Sequence, residues 1–550
     1  MKKFLLASGL ALALAACGNN GAEGPSKPYQ MNAKALGESI KTLASDKFGG
    51  RGVGTEGEKL TVAYMTKQFK DAGLLPANGD SYTQDVPLVS IEALGNPDLK
   101  IEGNGQSLDF KYRHDEVVWT RHEVPEMSVK DSDLVFVGYG INAPERGWND
   151  YAGVDVKGKT VVMLVNDPGY ATQDPKLFGG NAMTYYGRWD YKYDEAARQG
   201  AAGAIIIHRT KPAAYPWATV DSSWTGPKMR TVQQDKGAHF TGFEAWITTD
   251  AADKLFAAAG LDRAALEAAA EKPGFKAVPM GDLKVSTSFK NEVKHVTSHN
   301  IAAYVKGTEH PDEVFVYMAH WDHLGTDPTM EGDNIYNGAL DNASGSAGLI
   351  ELARAFGHAK VKPKRSVLFL SVTGEEQGLL GSAYYGDHPL FPLAKTVGGL
   401  NMDGLNNYGP TKDITIIGLG NSHLDDYIRK AAANQGRVLD PDPEPEKGGF
   451  YRSDHFELSK HGVPMLYPES GADSVAHGRE WVRKRSEDYT AHNYHKPSDE
   501  YHDDWDLSGA IQDLNAYYQT GRMLVDSGDW PTWNDGTEFK KIREEQRPAK

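Results

Sequence analysis

The sequence contains one cysteine, Cys17, in 550 residues. A lone thiol forms no internal disulfide and builds no cysteine-based zinc site, so any metal must be held by His, Asp and Glu. Positive charge is also scarce: 59 Lys and Arg stand against 75 Asp and Glu, for a formal net charge of −16. That balance excludes the broad basic surface that binding a phosphate backbone needs, and no nucleic-acid partner is expected. There is no G-x-S-x-G elbow for a serine hydrolase and no H-E-x-x-H helix for a single-zinc protease. Beyond the first residues, no run is apolar enough to cross a membrane as a helix.

The N-terminal residues carry the first positive signal. Lys2 and Lys3 precede an apolar run from Phe4 to Ala16, too short to span a bilayer. The run ends Leu14-Ala15-Ala16-Cys17, which resembles a bacterial lipobox. The resemblance implies that Cys17 is lipidated and becomes the new N-terminus, which removes it from catalysis. It further implies an exported protein tethered to the periplasmic face of a bacterial membrane, with the outer membrane expected. Residues 18–30 are small and polar and read as a flexible tether.

Length alone predicts two to four domains. Val62, Met65, Phe69 and Ala72 recur at helical spacing ahead of Gly73, so a helix is expected over about 56–73. From about 122 to 282 the pattern changes. The apolar runs Leu134–Val137, Val161–Val165 and Ala204–Ile207 read as buried strands separated by aromatic, turn-rich stretches. The run 150–159 leading into a strand, and 196–204 leading into another, resemble the protease-associated (PA) domain inserted in many exopeptidases. Gly153–Thr160 also satisfies the Walker A pattern, but strand residues follow it where a phosphate loop needs a helix, so nucleotide binding is not expected.

After about residue 283, strands and helices alternate, which implies a mostly parallel sheet flanked by helices. In such sheets functional residues gather at the carboxyl ends of strands. The strand 314–318 runs into His320-Trp321-Asp322-His323, and Asp341-Asn342-Ala343-Ser344-Gly345 precedes a small-residue helix. Strand 366–372 ends in Glu375-Glu376, and strand 396–400 in Asn401-Met402-Asp403. Taken singly, each has an ordinary explanation: Asp341 or Asn342 suits a helix cap, and a Glu pair is commonly solvated. Unpaired carboxylates just beyond a buried strand are costly, however, and four hard ligand types at successive strand ends point to a metal site.

These motifs resemble peptidase family M28, in the family's order, and a Tyr494-His495-Lys496-Pro497-Ser498-Asp499 box matches its last element. The resemblance spans residues 283–550 and extends to 31–121, with 122–282 as the inserted PA domain. It implies an α/β fold of zinc-exopeptidase type and two zinc ions held by His320, Asp341, Glu376, Asp403 and His495. Asp341 would bridge the ions, His320 and Asp403 would complete one shell, and Glu376 and His495 the other. Glu375 would be the general base.

Asp322 would orient the His320 imidazole or serve as a turn residue. Tyr494 would donate to an oxyanion or pack in the core. Asp454 would face a substrate α-ammonium group or lie in a polar loop. Arg452 would hold a free carboxylate if the enzyme were a carboxypeptidase or dipeptidase. His323, His455, His477 and His492 exceed the five-ligand set and read as surface or supporting residues. The expected activity is removal of N-terminal residues from peptides or small proteins. The alternatives are a carboxypeptidase or dipeptidase, a one-zinc glutaminyl cyclase, or a non-catalytic peptide-binding module. Cobalt or manganese would suit similar ligands.

Overall fold

The computed structural model describes residues 29–547. The signal segment 1–17, with Cys17, and most of the 18–30 tether lie outside the described residues. No helix among the described residues is long and apolar enough to cross a membrane.

Two sheets organise the chain. The first is mixed α/β. Its centre is parallel, in the order Arg365–Val372, His310–His320, Thr396–Asn401, Met465–Glu469. An antiparallel wing adds Val278–Val305, Thr83–Ala93 and Lys228–Thr231. Arg365–Val372 and Thr396–Asn401 are buried along their whole length, as continuous apolar strands covered on both faces must be. Phe315, Tyr317 and Ala319 pack on one face with the helices Ala33–Leu43, Gly345–Gly357 and Ser508–Val525. Val314, Val316 and Met318 face the other way, against Leu458 and Val463. The α/β class with a mostly parallel centre is therefore as the alternation predicts.

The second sheet holds Glu126–Phe136, Thr160–Leu164, Gly203–Ile207 and Phe243–Ile247 in parallel contact. It also takes Glu116–Trp119 and the hairpin of Lys100–Gly103 with Gln106–Leu108. The sheet thus begins near residue 100, ahead of the expected boundary at 122, because Glu116–Trp119 pairs with Phe243–Ile247 and not with the first sheet. Gly153–Thr160 leads directly into the buried strand Thr160–Leu164, as a non-phosphate loop should.

One strand, Val278–Val305, belongs to both sheets. Residues 278–290 pair with Glu126–Phe136, and residues 291–305 pair with Thr83–Ala93 and Arg365–Val372. The second unit also touches the first away from this strand. The Tyr185 ring lies 5.2 Å from Phe456, and the Met183 N–H donates to the Pro445 carbonyl at 3.0 Å.

Candidate metal centre

Strand ends deliver the site. His320 is the last residue of His310–His320 and is 1 % exposed. Its Nδ1 faces the Asp322 carbonyl at 3.2 Å, which leaves Nε2 toward Asp341 Oδ1 at 3.4 Å and Asp403 Oδ1 at 3.2 Å. Asp341 turns its other oxygen, Oδ2, to His495 Nε2 at 3.2 Å, and the same nitrogen lies 3.1 Å from Glu376 Oε2. Asp341 therefore stands between two groups, one with His320 and Asp403 and one with Glu376 and His495.

The turn at 338–345 holds this arrangement. The Asn342 amide donates to the Met402 carbonyl at 2.9 Å, and its oxygen accepts from the Gly345 and Gly404 N–H groups at 2.9 and 3.0 Å. Asn342 is thus the residue that caps the helix Gly345–Gly357, while Asp341 faces the site. A side chain at Gly345 would collide with Asn342 Oδ1 at 2.2 Å and the Met402 carbonyl at 2.6 Å, so only glycine lets the helix approach the Asp403 strand end. Ser346 Oγ donates to the His320 carbonyl at 2.9 Å.

Asp322 is fully buried, and its carboxylate accepts the backbone N–H groups of Glu375 and Glu376 at 3.1 and 3.4 Å. It orients the glutamate pair more directly than the imidazole, whose Nδ1 is 3.8 Å from its Oδ1. Burial, and then the Glu376 charge against the opposing His320, push the Asp322 carboxyl up to about 6. Glu375 is partly buried beside the groups. Burial, with Asp403, Glu376 and Asp454 nearby, raises its pKa well above the usual carboxylate value despite the opposing His320. Tyr494 is 45 % exposed, with its ring stacked 3.8 Å from that of His495. This position at the mouth excludes the core-packing alternative.

Burial decides the remaining sequence expectations. Asp454 is 0 % exposed, and its Oδ1 accepts from Ser382 Oγ at 2.6 Å, so it lies beneath the site and offers no carboxylate to a substrate amine. Of its two readings, surface or supporting, His323 has the second: it is 2 % exposed, with Nδ1 2.5 Å from Glu376 Oε1. The H-x-D-H spacing carried that signal. His455 is also fully buried, stacked 4.4 Å from Tyr467. Arg452 is exposed, and its Nε donates to the Lys447 carbonyl at 2.8 Å.

Three residues to which the sequence assigns no role hold the site from behind. Ser453 Oγ donates to Asp403 Oδ2 at 2.6 Å. Asp499 accepts the Leu340 and Asp341 N–H groups, each at 3.1 Å. Arg51, 1 % exposed, donates to the carbonyls of Trp321 (2.8 Å), Leu43 (2.9 Å), Asn337 (2.6 Å) and Gly338 (2.8 Å). Burial lowers its pKa to about 10 against the pull of Asp341 and Asp499. Gly50 beside it lies against the Gly325 carbonyl, 2.2 Å from where a Cβ would stand, which excludes any side chain there.

The donor set fits zinc. Ligand-capable atoms of His320, Asp341 and Asp403 lie within 4.8 Å of one another, as do those of His323, Asp341 and Glu376. Imidazole and carboxylate are zinc's nitrogen and oxygen donors. Although burial opposes a charge on His495, its bonds to Asp341 and Glu376 raise its pKa to about 10. The negative potential that favours that proton favours a divalent cation at the same place.

Residues 300–519 match the model of Peptidase family M28. A "Probable zinc metalloprotease" of Leptosphaeria maculans is 42% identical over 85 residues, 16% of this chain and 19% of that protein. "Aminopeptidase NAALADL1" of Mus musculus is 32% identical over 139 residues, 24% of this chain and 17% of that protein. The chain spans only about a fifth of the length of the curated relatives it matches. Among solved structures, the aminopeptidase from Aneurinibacillus sp. strain AM-1 aligns over 91% of this chain and 96% of its own at 21% identity, with a TM-score of 0.49. The zinc aminopeptidase from Bacillus subtilis aligns over 93% and 97% at 17% identity, with a TM-score of 0.42.

Proposed function

We propose that this protein is a two-zinc aminopeptidase that releases N-terminal residues from peptides. The observation that carries the reading is the division of Asp341, whose two oxygens face His320 and His495 separately, with Glu375 beside both groups. His320 and Asp403 would hold one ion, Glu376 and His495 the other, and Asp341 both. Zinc so bound supplies Lewis acidity and lowers the pKa of a water.

The chain's own groups do the rest. Glu375, with its raised pKa, takes a proton from the attacking water and returns it to the leaving amine. Asp322 fixes the backbone at Glu375 and so its place. Tyr494 at the mouth supplies a phenolic donor to the developing oxyanion. A centre rich in carboxylates (Glu375, Glu376, Asp403) favours a substrate that brings an ammonium group, which supports attack at the N-terminal end. Within this reading the unit built on the second sheet is a PA domain, and Leu14-Ala15-Ala16-Cys17 supports export with a lipid anchor on the periplasmic face.

Zinc-loaded protein is expected to release amino acids from aminoacyl-anilides, to spare N-acetylated peptides, and to carry two ions per chain by elemental analysis. Glu375→Gln should cost about 10²–10⁴-fold in turnover with the metal content kept. Undiminished turnover in that variant, or ready cleavage of N-acetylated peptides, rejects the proposal.

A further inference from the structure

Glu376 meets two imidazoles, one on each oxygen. His495 Nε2 lies 3.1 Å from Oε2 at the mouth of the site, and His323 Nδ1 lies 2.5 Å from Oε1 in its interior. The two rings stand at 73°, with centroids 5.8 Å apart. His495 has its place in the two-zinc reading, whereas His323 has none.

Distances decide between ligand and hydrogen-bond donor. Donors that share one zinc at about 2.0–2.2 Å stand roughly 3.4 Å apart in a tetrahedral shell. The contacts His320–Asp341, His320–Asp403, His495–Asp341 and His495–Glu376 all fall at 3.1–3.4 Å. The contact between His323 and Glu376 is much shorter, too close for two donors on one ion, and is a hydrogen bond. An ionised carboxylate only accepts, so the proton is on Nδ1. Nε2 is buried and meets no partner among the described residues. A lone pair stranded there costs less than the N–H of a buried imidazolium, which fixes the ring as the neutral Nδ1–H tautomer.

The ring is also wedged in place. Gly338 has φ 54°, and a Cβ on it would stand 2.5 Å from His323 Cδ2 and 2.6 Å from Cγ. The turn that carries Asp341 thus presses bare backbone against the imidazole. Arg51 ties the two together: its guanidinium donates to the Gly338 and Trp321 carbonyls, and its own carbonyl accepts the His323 N–H at 3.5 Å. Asp403 is held in the same manner, with Oδ1 3.2 Å from His320 while Ser453 donates to Oδ2 at 2.6 Å. In each carboxylate a donor ties down one oxygen and leaves the other to the ion.

We propose that His323 is the positioning residue of Glu376: its Nδ1–H holds Oε1, so Glu376 offers the second ion Oε2 alone, and His323 stays outside the shell. This rests on the two-zinc reading.

Two variants test it. Asn places an amide N–H near the position of Nδ1, and Leu fills the space without a donor. Zinc-loaded protein titrated with a chelator should hold one ion about 10–100-fold more weakly in His323→Leu, with the other ion unchanged. His323→Asn should restore most of that affinity. Equal loss in both variants makes His323 a ligand, and no loss in either makes it packing; both results overturn the proposal. Long-range proton–nitrogen NMR spectra of histidine-labelled, zinc-loaded protein read the same point where His323→Leu fails to fold. The signal lost in His323→Asn should be that of an Nδ1–H ring, and a metal-bound nitrogen or the opposite tautomer overturns the bond. An unsubstituted chain that holds a single ion rejects the two-zinc reading, and the tautomer still decides the bond from His323 to Glu376. Neither readout uses peptide turnover, so failure of the peptidase reading leaves both standing.

Discussion

The carboxylate of Asp499 accepts the backbone N–H of Asp341 at 3.1 Å from 158 residues away. The same carboxylate takes the Leu340 N–H, and Tyr489 donates to it at 3.1 Å. Asp341 is the residue between both groups, so the orientation of its two oxygens depends on a side chain that touches neither imidazole.

Asp499→Ala should therefore weaken metal binding and turnover by about 10–100-fold, the usual effect of losing a ligand's supporting partner. Zinc titration against a competing chelator measures the first, and anilide hydrolysis the second. Unchanged zinc affinity would show that the turn holds itself.

Removing ligands should change stoichiometry in steps. Asp403→Ala takes one member from one group only and should leave one tightly held ion per chain. Asp341→Ala takes the shared member and should leave neither ion tightly held. Elemental analysis after dialysis reads the difference, and equal counts in the two variants would contradict the shared position of Asp341.

Arg51→Met should destabilise the chain by more than about 3 kcal/mol, because it leaves carbonyls at Trp321, Leu43, Asn337 and Gly338 without their charged donor. Urea denaturation measures the loss. A shift under about 1 kcal/mol would mean that these carbonyls find other donors.

Glu116 gives a pH test remote from the metal groups. It is 0 % exposed, and burial, with Asp98, Asp115 and Asp109 nearby, pushes its pKa from 4.5 to about 8 even though Oε1 accepts the Leu99 N–H at 2.8 Å. Between those values the folded chain keeps a proton that the unfolded chain has lost. The stability it contributes is full below 4.5 and drains away as pH rises to about 8. Glu116→Gln keeps the acceptor and removes the titration. It should be close to neutral near about pH 4 and stabilising by up to about 4 kcal/mol near about pH 8. Denaturation curves at both values decide it, and a pH-independent difference would count against the assignment.

Much of the site was legible because apolar strands end abruptly in residues of another kind. His320, Glu376 and Asp403 each follow a wholly buried run, and Asp341 opens a helix of small residues. His495 left no such trace. It sits at φ 57° in a turn after the helix Arg479–His492, and it was found through its box of neighbours alone. That helix was missed because only Val482 in it is buried, so it has no apolar stripe to read. Val278–Val305 was missed because it serves two sheets, and its alternating polar residues never form one apolar run. Arg51, Ser453 and Asp499 act on backbone atoms or on a ligand from behind, and such bonds impose no spacing on the sequence. Asp454 has the right neighbours, but residue order carries no measure of depth, and Asp454 is buried against Ser382.

The strand Val278–Val305 has a mechanical consequence. A linker of loop residues would let the two sheets swing like the leaves of a door. A strand paired into both sheets over most of its 28 residues, with register breaks between Pro279 and Lys284 and between Val285 and Thr287, resists bending far more than a loop does. The two sheets then share one backbone that both hold by their own hydrogen bonds, and a displacement of either sheet is passed to the other through it.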